Sequence, residues 1–288
     1  ESFTKAVQEN TKLFFIESMG NPKLDVLDIE KISDESKKNH VPLMVDNTVA
    51  TPALLNPIKY GANIVIYSLT KYINGNGTAL GGAIVDAGNF DWSSGKFPEF
   101  TTPSAGYHGL IYHDALGPAA FIAKVRVEGL RDIGAAISPF NSFQIIQGLE
   151  TLEVRMKKHS ENALELATWL ESREEISWVN YPGLKSSPYN SLSKKYLPNG
   201  QSGLITFGSK GGFNSAKKIA DNTTIFSLLA NIGDSKSLII HPASTTHSQL
   251  SEIEQLNTGV SQDLVRLSVG LENIEDLKQD LINAFEKI

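Results

Sequence analysis

The chain has 288 residues, 41% hydrophobic and 20% charged, enough for about two domains of roughly 150 residues each; this excludes a mini-protein and a disordered chain. Lys and Arg total 26 against 32 Asp and Glu, a net charge of −6 that offers no general attraction to nucleic acid or an anionic membrane. There are no cysteines, so disulfides, thiolate metal sites and a cysteine nucleophile are excluded.

No apolar run approaches the ~18 residues that span a bilayer, and the N-terminus has no basic segment followed by an apolar signal core. The expectation is a soluble, cytoplasmic protein. The chain begins Glu1-Ser2-Phe3 without an initiator Met, which reads as part of a longer chain. Three unbroken apolar runs follow: Leu13 to Ile16, Leu43 to Val45 and Ile64 to Tyr67. Unbroken apolarity predicts strands buried on both faces, as in a parallel α/β sheet. Leu24 to His40 reads as the helix between the first two, with Asp25, Asp28 and Glu30 early and Lys37 and Lys38 late, the order that suits the helix dipole.

Apolar residues recur with helical spacing from Ser142 to Ser172. As one continuous helix this stretch would be about 45 Å long and would link two domains. Beyond it, strands are expected at Ile176 to Val179, Leu204 to Phe207, Leu238 to Ile240 and Leu264 to Val269, with helices from about Asn214 and across Ile274 to Phe285. This predicts a first domain over 1–156 and a smaller α+β domain over 157–288. The Gly/Ser/Pro-rich stretch 183–203 reads as one long surface excursion.

Each early strand ends in polar residues: Glu17-Ser18 before Gly20-Asn21-Pro22, Asp46-Asn47-Thr48, and Ser68-Leu69-Thr70-Lys71. Open α/β sheets bind ligands beyond the carboxyl ends of their strands, so the three endings can converge on one site. Lys71 stands beside two hydroxyls and a glycine-rich turn, and a desolvated lysine there can form an imine with an aldehyde cofactor. Pyridoxal 5'-phosphate (PLP) needs such a lysine, donors for its phosphate, and a carboxylate that keeps its ring nitrogen protonated. Lys71, Ser68, Thr70 and Asp46 supply that set. From spacing alone, Lys71 is equally a solvated strand-end lysine and Asp46 a turn or helix cap.

Other chemistries find little support. His241 and His247 lack the spacing of a helical ligand pair and have no carboxylate nearby in sequence, so no metal site is expected. His108 and His113 read as structural residues of the segment after Gly95. The glycine loops at 75–82 and 208–212 match no dinucleotide or nucleoside triphosphate motif, and no Gly-x-Ser-x-Gly elbow occurs.

Taken together, Val45-Asp46-Asn47-Thr48, Ala50-Thr51-Pro52 and Ser68-Leu69-Thr70-Lys71-Tyr72 resemble the signature of the Cys/Met-metabolism family of PLP-dependent enzymes, of fold type I. Glu17-Ser18 with Asn21-Pro22 is similar to an upstream motif of that family. Ser237-Leu238 with the run His241 to His247, and the run Val265 to Glu272, are similar to its C-terminal signatures. Within the family, Gln147-Gly148-Leu149-Glu150-Thr151-Leu152 and the long insert from Gly95 to about Gly134 resemble the branch that replaces the acetate of O-acetylhomoserine with sulfide or methanethiol. Branches that make cystathionine, or that cleave methionine or cystathionine, are the nearest alternatives; an inactive, non-catalytic chain of the same fold is the alternative of a different class.

The resemblance implies a mostly parallel sheet in a large domain and a smaller C-terminal domain. It implies PLP held by Lys71, Asp46 against the pyridine nitrogen, Ser68 and Thr70 on the phosphate, and Asn21 at the 3-oxygen. It further implies Arg266 on the substrate carboxylate and Ser237 beside the lysine amine. The partners implied are a small amino-acid substrate and sulfide or a thiol, with no nucleic acid or membrane, in a homo-oligomer built as a dimer of dimers. Against the family pattern, the glycine loop for the phosphate, the ring-stacking aromatic and the Tyr/Arg segment that reaches a neighbouring subunit would precede Glu1. The length then reads as a whole small domain plus the later part of a large one.

Overall fold

The computed structural model describes residues 2–288. Two sheets organise the chain. The first has the order β1 (Phe14–Glu17), β2 (Leu43–Asp46), β3 (Ile64–Ser68) and β4 (Gly82–Asp86). Strands β1, β2 and β3 are parallel, with Glu17 opposite Asp46 and Asp46 opposite Ile66, while β4 runs antiparallel to β3. The three apolar runs of the sequence are therefore adjacent parallel strands, and all three end on the same edge.

The connection from β1 to β2 is a shorter helix than the charge pattern predicts, Ile29–Lys38. Its expected first turn is a tight loop instead. Leu24 sits at φ 53°, Gly20 N–H donates to Asp25 O at 3.0 Å, and Met19 bridges Val26. The predicted helix over 142–172 is likewise two helices, Pro139–Glu150 and Leu152–Glu171, with Thr151 at φ −107° between them. One non-helical residue barely disturbs the spacing of the apolar positions, so the pattern does not register the break. The break lets Gly148 lie against the backbone of Ile73 and Asn74, where a Cβ would stand 2.4 and 2.3 Å from their carbonyl oxygens.

The second sheet has the order β5 (Ile176–Asn180), β6 (Leu204–Ser209), β9 (Leu264–Ser268), β8 (Leu238–Ile240) and β7 (Ser227–Leu228). It is antiparallel except for the β7–β8 pair. The long helix Leu152–Glu171 serves both sheets. Leu152 and Met156 pack in the core around β1 to β3, while Ala163, Leu166, Ala167 and Leu170 pack in the core around β5, β6, β8 and β9. Burial of these side chains, worth roughly 1.5–3 kcal/mol for each large one, fixes the helix to both halves.

The stretch 183–203 is not a surface excursion. It contains the helix Asn190–Tyr196 and buries Leu184, Tyr196, Leu197 and Ser202, because Tyr196 seats its ring edge against Tyr60 and donates its hydroxyl to Asp28 Oδ1 at 2.5 Å. Among the described residues no helix is long and apolar enough to cross a membrane.

Candidate active site

The carboxyl ends of β1, β2 and β3 carry Glu17, Asp46 and Ser68. Beyond Asp46 the chain is held tightly. Asp46 Oδ1 accepts from Thr48 N–H at 2.9 Å, Thr48 Oγ1 accepts from Ser68 N–H at 2.8 Å, and the fully buried Asn47 donates to Thr51 O and Leu55 O while accepting from Ser18. The Asp46 carboxylate thus stands on a braced turn at the sheet edge. Partial burial and the adjacent Asp46 charge push the Glu17 carboxyl above the usual range.

Lys71 lies one turn past β3. Its carbonyl accepts from Gly75 N–H at 2.8 Å, closing a turn that Gly75 completes at φ 73°. Its Nζ donates to Asn231 Oδ1 at 2.6 Å. Arg266, on β9 of the other sheet, donates from one nitrogen to Asn231 O at 3.1 Å and from another to Asn21 Oδ1 at 3.2 Å. Asn231 therefore stands between the lysine amine and the guanidinium. Burial, and then the Arg266 charge, hold the Lys71 ammonium below the usual lysine range. Burial also pulls Arg266 down to about 10. The Lys71 shift favours an amine that sheds its proton readily, the state needed for attack on an aldehyde.

The loop that carries Asn231 is docked on the Lys71 turn. Gly75 O accepts from both the amide and the hydroxyl of Ser235, at 2.8 and 2.7 Å. Gly233, at φ 73°, approaches so closely that a Cβ would lie 2.6 Å from Tyr72 N. The two sheets thus deliver their functional ends to one place through backbone contacts that tolerate no side chain.

The structure brings together Lys71, Arg266 and Asn21, with Asp46 and Ser68 on the neighbouring strand ends. Thr70 is committed to Gly81, accepting its N–H at 3.1 Å and donating to its carbonyl at 3.3 Å. The lysine amine donates to Asn231 and not to Ser237. The buried Ser237 hydroxyl donates to Glu272 Oε2 at 2.8 Å and accepts from Gly270 N–H at 2.8 Å, which clamps the loop after Asn231. Asn231 occupies the place expected of Ser237. Nothing local in the sequence marks it, since its partner lies 160 residues away.

The two histidines weighed as metal ligands have local partners, and His247 Nδ1 lies 2.9 Å from Thr246 Oγ1. His241 places Nδ1 on Ser244 Oγ and Nε2 on Gln262 O, each at 2.9 Å. His108 is exposed, and His113 pairs with Asp114 at 3.2 Å. Among the described residues no cluster of three or more His, Asp or Glu could hold a metal ion. A separate apolar cleft of about 380 Å³, lined by Trp92, Phe97, Phe100 and Phe121, shares no residue with the group around Lys71.

A weakly basic amine, a braced carboxylate and a hydroxyl at the ends of adjacent strands are the donor set that an aldehyde cofactor with a protonated ring nitrogen and a phosphate requires. The residues present fit PLP, and the class they define is a PLP-dependent enzyme. The family described as Cys/Met metabolism PLP-dependent enzyme matches residues 1–286, and the chain belongs to that family. It is 52% identical to an O-acetyl-L-homoserine sulfhydrylase of Leptospira meyeri, over 100% of this chain and 67% of the relative. It is 46% identical to a homocysteine/cysteine synthase of Saccharomyces cerevisiae, over 100% of this chain and 68% of the relative. A crystal structure described as O-acetylhomoserine (thiol)-lyase from Campylobacter jejuni subsp. jejuni, holding N'-pyridoxyl-lysine-5'-monophosphate, superimposes with a TM-score of 0.95 at 47% identity, covering 99% of this chain and 68% of that one. The chain thus spans about two thirds of the length of these proteins.

Proposed function

We propose that this chain carries out γ-replacement, exchanging the acetate of O-acetyl-L-homoserine for sulfide or methanethiol to give homocysteine or methionine plus acetate. One observation carries the reading: the Lys71 amine and the Arg266 guanidinium meet across Asn231. An α-amino acid bears its amino group and carboxylate on one carbon, so a substrate anchored by Arg266 presents its Cα beside Lys71. The names of the relatives and the Gln147 to Leu152 segment favour the sulfhydrylase branch over its neighbours.

When bound, PLP supplies an aldehyde that takes up amino groups and a ring that draws electron density from Cα. Lys71 would hold it, Asp46 would keep a proton on its ring nitrogen, and Ser68 would donate to its phosphate, as would Thr70 once its hydroxyl turns away from Gly81 O. Asn21 accepts from Arg266 through Oδ1 and keeps its amide N–H groups for the cofactor's 3-oxygen. Arg266 would grip the substrate carboxylate with the N–H groups left after Asn21 and Asn231, a two-point hold that lysine cannot reproduce. Lys71 would then take the proton from Cα and, later, one from Cβ, which opens the way for acetate to leave Cγ, and it would return protons after sulfide has added there. Ser237 acts through Glu272 on the loop that presents Asn231.

We further propose a division near residues 156 and 157, cytoplasmic location, and a homo-oligomer built as a dimer of dimers. Phe140, Phe143, Ile146 and Leu149 form an exposed apolar stripe along the helix Pro139–Glu150, and a stripe of that kind favours burial against another subunit. Product analysis tests the reaction. O-acetyl-L-homoserine with sulfide should yield homocysteine and acetate in equal amounts. Cystathionine formed from added cysteine, or 2-oxobutyrate formed with no nucleophile, as the main product would overturn the reading.

A further inference from the structure

We infer that Arg155 is a positioning residue that aims Lys71 by fixing the backbone turn from which the lysine projects. The inference rests on the reading of Lys71 as the cofactor-binding lysine. Arg155 is on the long helix Leu152–Glu171 and is 8% exposed. Among the described residues no carboxylate pairs with it, and burial alone holds its charge below the ordinary range. An unpaired buried cation is costly unless fully hydrogen-bonded, so what it touches identifies what it does.

It touches the Lys71 turn. One nitrogen donates to Tyr72 O at 2.6 Å, and a second donates to Ile73 O at 3.2 Å and to Gly148 O at 2.6 Å. The third reaches Thr151 Oγ1 at 3.0 Å. With Lys71 O taken by Gly75 N–H, three successive carbonyls from Lys71 to Ile73 are fixed, and the orientation of each peptide plane with them. The enclosure leaves no slack. A Cβ on Gly75 would fall 2.3 Å from the guanidinium, and one on Gly148 would strike the carbonyls of Ile73 and Asn74.

The same helix face continues toward Arg266. His159 meets Val269 O at 2.7 Å, and Asn162 donates to Gly270 O and Glu272 O, each at 3.0 Å. Residues 155, 159 and 162 follow the four-then-three spacing of one helix face. They tie the Lys71 turn to the end of β9, so the distance between amine and guanidinium is set by one rigid element. The guanidinium reaches these acceptors and Thr151 from three separate nitrogens in one plane; a lysine's donors radiate from a single point.

The test is borohydride trapping of the purified chain with PLP, followed by peptide mass analysis, on the parent, R155K and R155Q, each shown to be folded by circular dichroism. The rate of Lys71 adduct formation per folded molecule should fall about tenfold or more in both variants, as misaimed reacting groups lose rate steeply. The pH midpoint of the reaction should stay unchanged, and Gly75 N–H should exchange with solvent faster. T151A, which frees one guanidinium nitrogen and keeps the charge, should slow trapping to a smaller extent and serves if the Arg155 variants fail to fold. A merely structural role lowers melting temperature and leaves the adduct rate within about twofold of the parent, and that result would overturn the inference. A parent chain with no Lys71 adduct overturns the Lys71 reading itself.

Discussion

Replacing Arg266 by lysine keeps the charge and removes the fork. In the structure the guanidinium donates to Asn21 Oδ1 and Asn231 O and keeps its remaining N–H groups for a carboxylate. Lysine can retain one of these contacts, so the variant loses one bond from a charged donor and the two-point grip on the substrate. Hydrogen bonds to charged groups contribute roughly 1.5–3 kcal/mol. A net loss of about 2–4 kcal/mol corresponds to a rise of about thirtyfold to seven hundredfold in half-saturating concentration. The assay is steady-state kinetics in O-acetyl-L-homoserine at saturating sulfide, on protein whose melting shows that β9 is intact. In R266K a positive charge still faces Lys71, so the pH dependence of borohydride trapping should hold. In R266M the charge that helps depress the Lys71 ammonium is gone, so trapping should move to higher pH. A folded R266K with half-saturation within about threefold of the parent would refute the carboxylate role.

Three further outcomes follow from the same geometry. D46A should lower turnover by about a hundredfold or more, the scale of losing a group that acts on the developing charge, while a Lys71 adduct still forms; near-normal turnover would end the assignment. Burial holds the His159 imidazole at about 4, well below its usual 6.5. The unfolded chain therefore takes up a proton that the folded chain refuses as pH falls from 6.5 to 4, and stability on the order of 3 kcal/mol is lost across that window. Thermal melts of H159Q should show a flatter pH dependence there, and parallel curves for both proteins would contradict the cause. Asp280 accepts from the amides of Thr224, Ile225 and Phe226 and from the Thr224 hydroxyl, so D280A should cost about 2–4 kcal/mol in denaturant unfolding by leaving those donors without their acceptor.

The residues that were legible in the sequence are those whose signal is local. Unbroken apolar runs mark β1, β2 and β3, although β1 is buried on one face only and leaves Phe15 49% exposed on the other, and their polar endings mark the edge where Asp46 and Ser68 stand. Strand β4 escapes notice because it follows a glycine-rich turn and leaves Ile84 and Val85 exposed, so it has neither an unbroken nor a clean alternating pattern. The helix break at Thr151 leaves the apolar spacing unchanged. Asn231 and Arg155 are invisible for a different reason: each acquires its meaning from a partner 160 and 83 residues away respectively. A polar residue in a loop and an arginine on a helix look ordinary until the fold sets them against the Lys71 turn. Ser237 shows the converse, since a motif match located the right loop while the amine is met by another member of it.

The central claim is that Lys71 is the residue that carries the cofactor. Incubating the chain with PLP, reducing with borohydride and mapping the modified peptide tests this without requiring turnover. The account predicts a single pyridoxyl adduct on Lys71, absent from K71A. Modification spread over several surface lysines, or an adduct that persists in K71A, would contradict it.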